Sequence, residues 1–159
     1  MPRRPRNQLD DGFFHVTARA VGGDDLFCDD VDRREFVDQL IRCTRGFLWV
    51  CHAYCLMTTH YHLVLETSRE SLSLGMHRLN GIYAQRFNAR HHRKGHVFEE
   101  RFQAYVIHSE QHLAAALEYV VNNPVRAGLC DRAAEWPWSG ALFEGTVPRE
   151  RRYEGLSLG

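Results

Sequence analysis

The chain has 159 residues, 44% of them apolar and 25% charged, the composition of one soluble globular domain with a moderate core. No uninterrupted apolar run exceeds five residues, far short of the roughly 18 to 20 that cross a bilayer, which excludes a spanning helix. The 20 Lys plus Arg balance 20 Asp plus Glu, and a zero mean speaks against a nucleic-acid binder. The mean conceals two unlike halves, however: residues 10–38 carry nine acids against three bases, and residues 69–94 carry six bases against Glu70 alone.

Met1-Pro2-Arg3-Arg4-Pro5-Arg6 is basic, but Asp10-Asp11-Gly12 stands where the apolar stretch of a signal peptide belongs, so the chain reads as unprocessed and cytoplasmic. Residues 1–11 read as a basic arm, 12–146 as the domain and 147–159 as a tail. Nineteen of the 20 bases are arginine. The planar guanidinium fork suits phosphate, and a high-GC coding bias explains the same composition equally well. Five cysteines, Cys28, Cys43, Cys51, Cys55 and Cys130, are an odd number with no close CxxC pair, which argues against a disulfide framework.

Residues 13–19 alternate, with Phe14, Val16 and Ala18 on one side and His15, Thr17 and Arg19 on the other, the period of a half-buried strand. Asp30 or Asp32 can cap a helix that carries Phe36, Leu40 and Cys43 at helical spacing to about Arg45, where Gly46 closes it. Residues 47–56 and 60–66 read as a hairpin joined by Met57-Thr58-Thr59. A second helix spans 71–88, with Leu72, Met76, Leu79, Tyr83 and Phe87 in steps of three and four. His91-His92-Arg93-Lys94-Gly95 is a basic loop, and 97–107 a long strand. A third helix starts at the cap Ser109 and ends at Asn122 or Asn123, because Pro124 disfavours helical geometry in the residue before it. The order β-α-β-β-α-β, then a helix and an irregular tail, predicts an α+β fold of the ferredoxin-like, split βαβ plan. Both helices then cover one sheet face, and His15, Thr17, Arg19, His60, His62 and Glu66 lie on an open one.

His60-Tyr61-His62 places two imidazoles on the same side of a strand, where they can share a metal ion. Two exposed or hydrogen-bonded strand histidines fit the same pattern. Cys51 and Cys55 with His60 and His62 offer four zinc ligands, but the spacing is not that of a finger, and cysteines in an apolar strand serve as small hydrophobes. Tyr119 and Asn123 are four apart on one helix face, away from the apolar stripe of Leu113, Leu117 and Val120. A partly buried tyrosine and a helix C-cap are the plainer readings of that pair.

Four segments together resemble the REP-associated tyrosine transposases, members of the HUH single-strand nucleases that are similar to the single-tyrosine transposases of small insertion sequences. They are Phe14-His15-Val16-Thr17-Ala18-Arg19; the stretch from Leu56 through His60-Tyr61-His62 to Glu66; Gly95-His96-Val97-Phe98-Glu99-Glu100-Arg101-Phe102; and Tyr119-Val120-Val121-Asn122-Asn123-Pro124-Val125-Arg126-Ala127-Gly128-Leu129. The resemblance implies that His60, His62 and Asn123 hold a divalent cation, Mg2+ or Mn2+, and that Tyr119 is the nucleophile. It implies cleavage and rejoining of single-stranded or hairpin DNA through a 5′-phosphotyrosine, by a monomer or homodimer with no membrane partner. Arg78, Arg86, Arg90, Arg93, Lys94 and Arg101 are then candidates for phosphate contact, and Arg3, Arg4 and Arg6 for a DNA-reading arm. The sequence departs from the family where Thr58-Thr59 replace Pro-Asn, where Glu100-Arg101-Phe102-Gln103 loses a base and gains an acid, and at Trp136-Pro137-Trp138-Ser139-Gly140. These tryptophans read as packing of the tail more than as base-stacking platforms. A hairpin-binding protein with a vestigial site and a structural zinc module are the rival functions.

Overall fold

A computed structural model describes residues 12–142; the arm with Arg3, Arg4 and Arg6, and the tail 147–159, lie outside the described residues. The elements are β1 (Phe13–Arg19), α1 (Asp30–Gly46), β2 (Val50–Leu56), β3 (His60–Glu66), α2 (Arg69–Arg90), β4 (Gln103–Val106), α3 (Glu110–Arg126) and β5 (Ser139–Leu142). The strands pair antiparallel in the order β4-β1-β3-β2-β5. The first four in this order make the ferredoxin-like sheet, with β1 and β3 as central neighbours.

Strand alternation sorts the two faces. Phe14, Val16 and Ala18 of β1 and Tyr61, Leu63 and Leu65 of β3 join the buried cluster that α1 and α2 complete. The α2 stripe of Leu72, Met76, Leu79, Tyr83 and Phe87 is buried in full, as its period requires. Gly75 lets α2 approach closely, because a Cβ there would overlap the Trp49 indole. The opposite face is not open, as the sequence reading expects. α3 lies on it, and Ala116 and Val120 form a second cluster with Ala53, Cys55, Met57, Val64 and Ile107. What remains uncovered is the part over β1 and the start of β3.

Several boundaries differ from the sequence reading for identifiable reasons. The α1 cap is Asp29, whose side chain accepts the Asp32 N–H at 3.1 Å, and Asp32 is instead buried. Gly46 stays helical. The chain reverses at Leu48, which takes a left-handed φ of 56°, so β2 starts only at Val50. The segment 97–107 pairs along β1 but not continuously. Ala20 opposes Phe98 and Thr17 opposes Gln103, so three steps of β1 face five of its partner, and the two-residue excess swells out between them as in an enlarged β-bulge. β2 carries a smaller irregularity between Cys51 and Ala53. It turns Cys51 toward the α1/α2 cluster and leaves Cys55 in the α3 cluster, so the two thiols lie on opposite faces and cannot share a zinc ion.

α3 starts where expected, with Ser109 accepting the His112 N–H at 3.0 Å, but it runs through Pro124 to Arg126. The proline removes one donor. Around that turn, Asn122 Nδ2 donates to the Glu118 carbonyl at 2.9 Å, and Asn123 Nδ2 and the Arg126 guanidinium donate to the Tyr119 carbonyl at 3.1 and 2.6 Å. The terminator is Gly128, at φ 74°. The Gly128 N–H donates to Val125 and the Leu129 N–H to Pro124, a Schellman pair. The tail adds β5 to the edge of the sheet, and both tryptophans pack. Trp138 is buried with Nε1 donating to Asp30, and Trp136 Nε1 donates to the Leu56 carbonyl at 3.0 Å.

Candidate active site

Between α3, the outer face of β1 and β3, and the 99–101 swelling lies a cleft of about 790 Å³. Its lining includes His15, His60, His62, Arg101, Tyr119 and Asn123. The sequence-derived set His60, His62, Tyr119 and Asn123 therefore converges, within one chain, on one cavity. The His60 and His62 rings are 5.1 Å apart, and the Tyr119 ring meets His62 edge-on at 5.8 Å. Tyr119 is 44% exposed, so its ring is wetted from the cleft and does not belong to the core. Asn123 is 9% exposed.

Burial holds His62 at a pKa of about 3, with the neighbouring His60, His15, Arg19 and Arg126 adding to the effect. Burial also lowers His60, helped by Arg19, and His15, helped by His112. These imidazoles are neutral near pH 7, the form that ligates metal. Each metal-candidate histidine has one ring nitrogen engaged: His62 Nδ1 shares a hydrogen bond with His15 Nε2 at 3.0 Å, and His60 Nδ1 shares one with Thr59 Oγ1 at 3.0 Å. Nε2 is left as the donor atom on each ring. For His62 this requires Nδ1–H to donate to His15, the arrangement by which an outer partner fixes the tautomer of a ligand histidine. Asn123 donates through Nδ2, which leaves its amide oxygen for a cation. Two neutral imidazoles and an amide oxygen fit Mg2+ or Mn2+, the latter better by ligand type.

The phosphate-contact candidates separate by location. Arg101 lines the cleft. Arg86, Arg90 and Arg93 are on or after α2, across the sheet from the cleft, and are paired with acids there. Arg86 meets Glu35 at 2.9 Å, Arg90 meets Asp29 and Asp32 at 2.6 and 2.7 Å, and Arg93 meets Asp24 at 3.5 Å. Arg78 and Lys94 are exposed. The unlike halves of the sequence thus neutralise one another in space, and Arg86, Arg90 and Arg93, expected as phosphate contacts, are engaged by acids away from the cleft.

Three further residues belong to this geometry. His15 touches both His62 and Tyr119, the latter at a ring distance of 5.8 Å. Its face on the strand was legible, but its diagonal contact with His62 depends on a register no local pattern specifies. Arg126 stacks over the Tyr119 ring, with Cζ 4.1 Å from the centroid. The two are seven residues apart, nearly two helical turns. A helix stopped at Pro124 hides that relation. Arg19 lines the cleft and was read only as a polar strand residue.

Known proteins resemble this chain in sequence and in fold. A protein of Haemophilus influenzae that bears the name REP-associated tyrosine transposase is 22% identical over 98 residues, 55% of this chain, and the chain spans 56% of that relative's length. A solved structure, titled as that of the REP-associated tyrosine transposase bound to a REP hairpin, superimposes with a TM-score of 0.68 at 16% identity, covering 87% of this chain and 82% of the other. The profile of IS200-like transposases matches residues 24–123, a stretch from the entry to α1 through Asn123 that holds both β3 histidines and Tyr119. By that match over more than half its length, the chain belongs to the IS200-like transposase family.

Proposed function

We propose that this protein is a metal-dependent DNA strand transferase that cleaves and rejoins single-stranded or hairpin DNA of the REP type. The observation that carries this reading is the convergence of His60, His62, Asn123 and the half-exposed Tyr119 on one cleft within a single chain. The titles of the two similar proteins support it, since both are named as REP-associated tyrosine transposases and the second is titled as bound to a REP hairpin.

In this reading Tyr119 Oη attacks the scissile phosphorus, the Oη–P bond forms and the P–O3′ bond breaks, giving a 5′-phosphotyrosine and a free 3′ hydroxyl. The phenolic proton passes to solvent and the departing oxygen takes one up. Arg126 and the edges of His15 and His62 hold the tyrosine ring in one orientation, so little freedom is lost on the way to attack. His60, His62 and Asn123 would hold the cation, which supplies charge stabilisation at the phosphate oxygens. The phosphotyrosine bond conserves the energy needed for rejoining, so no nucleotide cofactor enters.

Incubation with end-labelled REP-type hairpin oligonucleotides and Mg2+ or Mn2+ should yield a covalent protein–DNA adduct that is absent in Tyr119→Phe and in EDTA. Hairpin binding with no adduct under any flanking sequence, or an adduct that survives Tyr119→Phe, would overturn the reading. It would leave a non-cleaving hairpin binder in its place.

A further inference from the structure

We propose that Cys28, Asp32 and His91 form a second metal site, for zinc, across the sheet from Tyr119. One ligand atom from each side chain lies within 4.8 Å of the other two. They come from three places: the segment before α1, the first turn of α1 and the C-cap of α2. A tetrahedral zinc ion holds thiolate, imidazole and carboxylate atoms about 3.4 to 3.6 Å apart, so each needs to move by only about an ångström.

Two of the three are already set in place. Asp32 is 3% exposed, its Oδ2 accepts the Cys28 N–H at 2.9 Å, and His91 Nε2 lies 3.0 and 2.9 Å from its two oxygens. The His91 ring is held against Phe87, with centroids 4.4 Å apart. Cys28 is exposed, which opens the site to an incoming ion and leaves a fourth position for water.

Arg90 is the apparent obstacle, since its guanidinium donates to Asp32 Oδ1 at 2.7 Å. It also grips Asp29 with both terminal nitrogens, at 2.7 and 2.6 Å, so it stays paired if Asp32 turns to a cation. The charges then balance: thiolate, Asp29 and Asp32 carry three negative charges against Zn2+ and Arg90. A thiolate with an imidazole and a carboxylate selects a borderline-soft ion over Mg2+ or Mn2+, so this site and the cleft differ in metal. The bound ion would pin the start of α1 to the end of α2, a structural role that leaves the Tyr119 cleft untouched.

The test uses the full-length chain, stripped of metal and titrated with Co2+ as a spectroscopic substitute for zinc. Wild type and the double variant His60→Ala/His62→Ala should both develop a thiolate-to-cobalt charge-transfer absorption that Zn2+ abolishes. Cys28→Ser and Cys28→Ala should lack the band, and His91→Gln should bind at least about tenfold more weakly. Zn2+ should raise the thermal midpoint of wild type and not that of Cys28→Ser, whose midpoint in EDTA matches wild type. No charge-transfer band in wild type, or a band that persists in both Cys28 variants, would overturn the site.

Discussion

Burial, more than any charged neighbour, sets the protonation of the cleft histidines. His62 is held at a pKa of about 3, and His60 and His15 are also lowered, whereas an unfolded histidine titrates near 6.5. Below about pH 6.5 the unfolded chain therefore binds more protons than the native one, and acidification favours unfolding. The contribution of these groups is complete above that pH and falls as pH drops toward their native values, by up to about 1.4 kcal/mol per pH unit for the buried His62. Asp29, held at about 2 first by its hydrogen bond from Arg90, loses its contribution only below about pH 4, in a separate window. Thermal midpoints measured in EDTA should fall between pH 6.5 and 5, and His62→Gln should flatten that slope; a flat wild-type profile would contradict the burial argument. Strand parity and helical spacing put His60 and His62 on one side of a strand and Tyr119 and Asn123 on one helix face, and the resemblance to the tyrosine transposases supplied their roles. They do not specify cross-strand register, on which the His15 contact rests, nor does a local pattern reveal that Asp32 and Arg90 meet across 58 residues.

The helices show how far a local rule carries before tertiary context overrides it. α2 was legible because its apolar stripe is long and strictly periodic, and it contains two glycines with opposite roles. A Cβ on Gly75 would enter the Trp49 ring, whereas one on Gly81 meets nothing within 4 Å. Gly75→Ala should therefore cost about 1 to 3 kcal/mol by overpacking, and Gly81→Ala should gain up to about 1 kcal/mol from helix propensity. Urea midpoints of the two variants should move in opposite directions. α3 was read too short because the rule for the residue before proline is a statement about an isolated backbone. Here side-chain donors from Asn122, Asn123 and Arg126 reinforce the preceding carbonyls and a Gly128 terminator closes the helix four residues later. Strand β5 was missed for a different reason: four residues at a sheet edge, after two tryptophans and a proline, have too little alternation to register.

At the scale of the molecule, the acidic first third and the basic second helix are two halves of one ionic seam between α1 and α2. Among the described residues, few of the phosphate-contact candidates are left for DNA under the proposed function, and Arg101, which lines the cleft, is the one placed there. Arg101→Gln should reduce the slope of log K against log salt for hairpin binding by about 0.7 to 0.9, the share of one phosphate contact. Arg86→Gln, which breaks the pair with Glu35 and removes a charge near Asp38, should leave that slope unchanged; equal effects of both would place the α2 arginines on the DNA path after all. Arg101 owes its place to the two extra residues between Phe98 and Gln103, and that excess separates two design problems. β1 pairs with β4 on one side of it and Ala20 bridges Phe98 on the other, so the rim of the cleft can lengthen, shorten or change charge across generations while the histidines and Tyr119 stay where the sheet holds them.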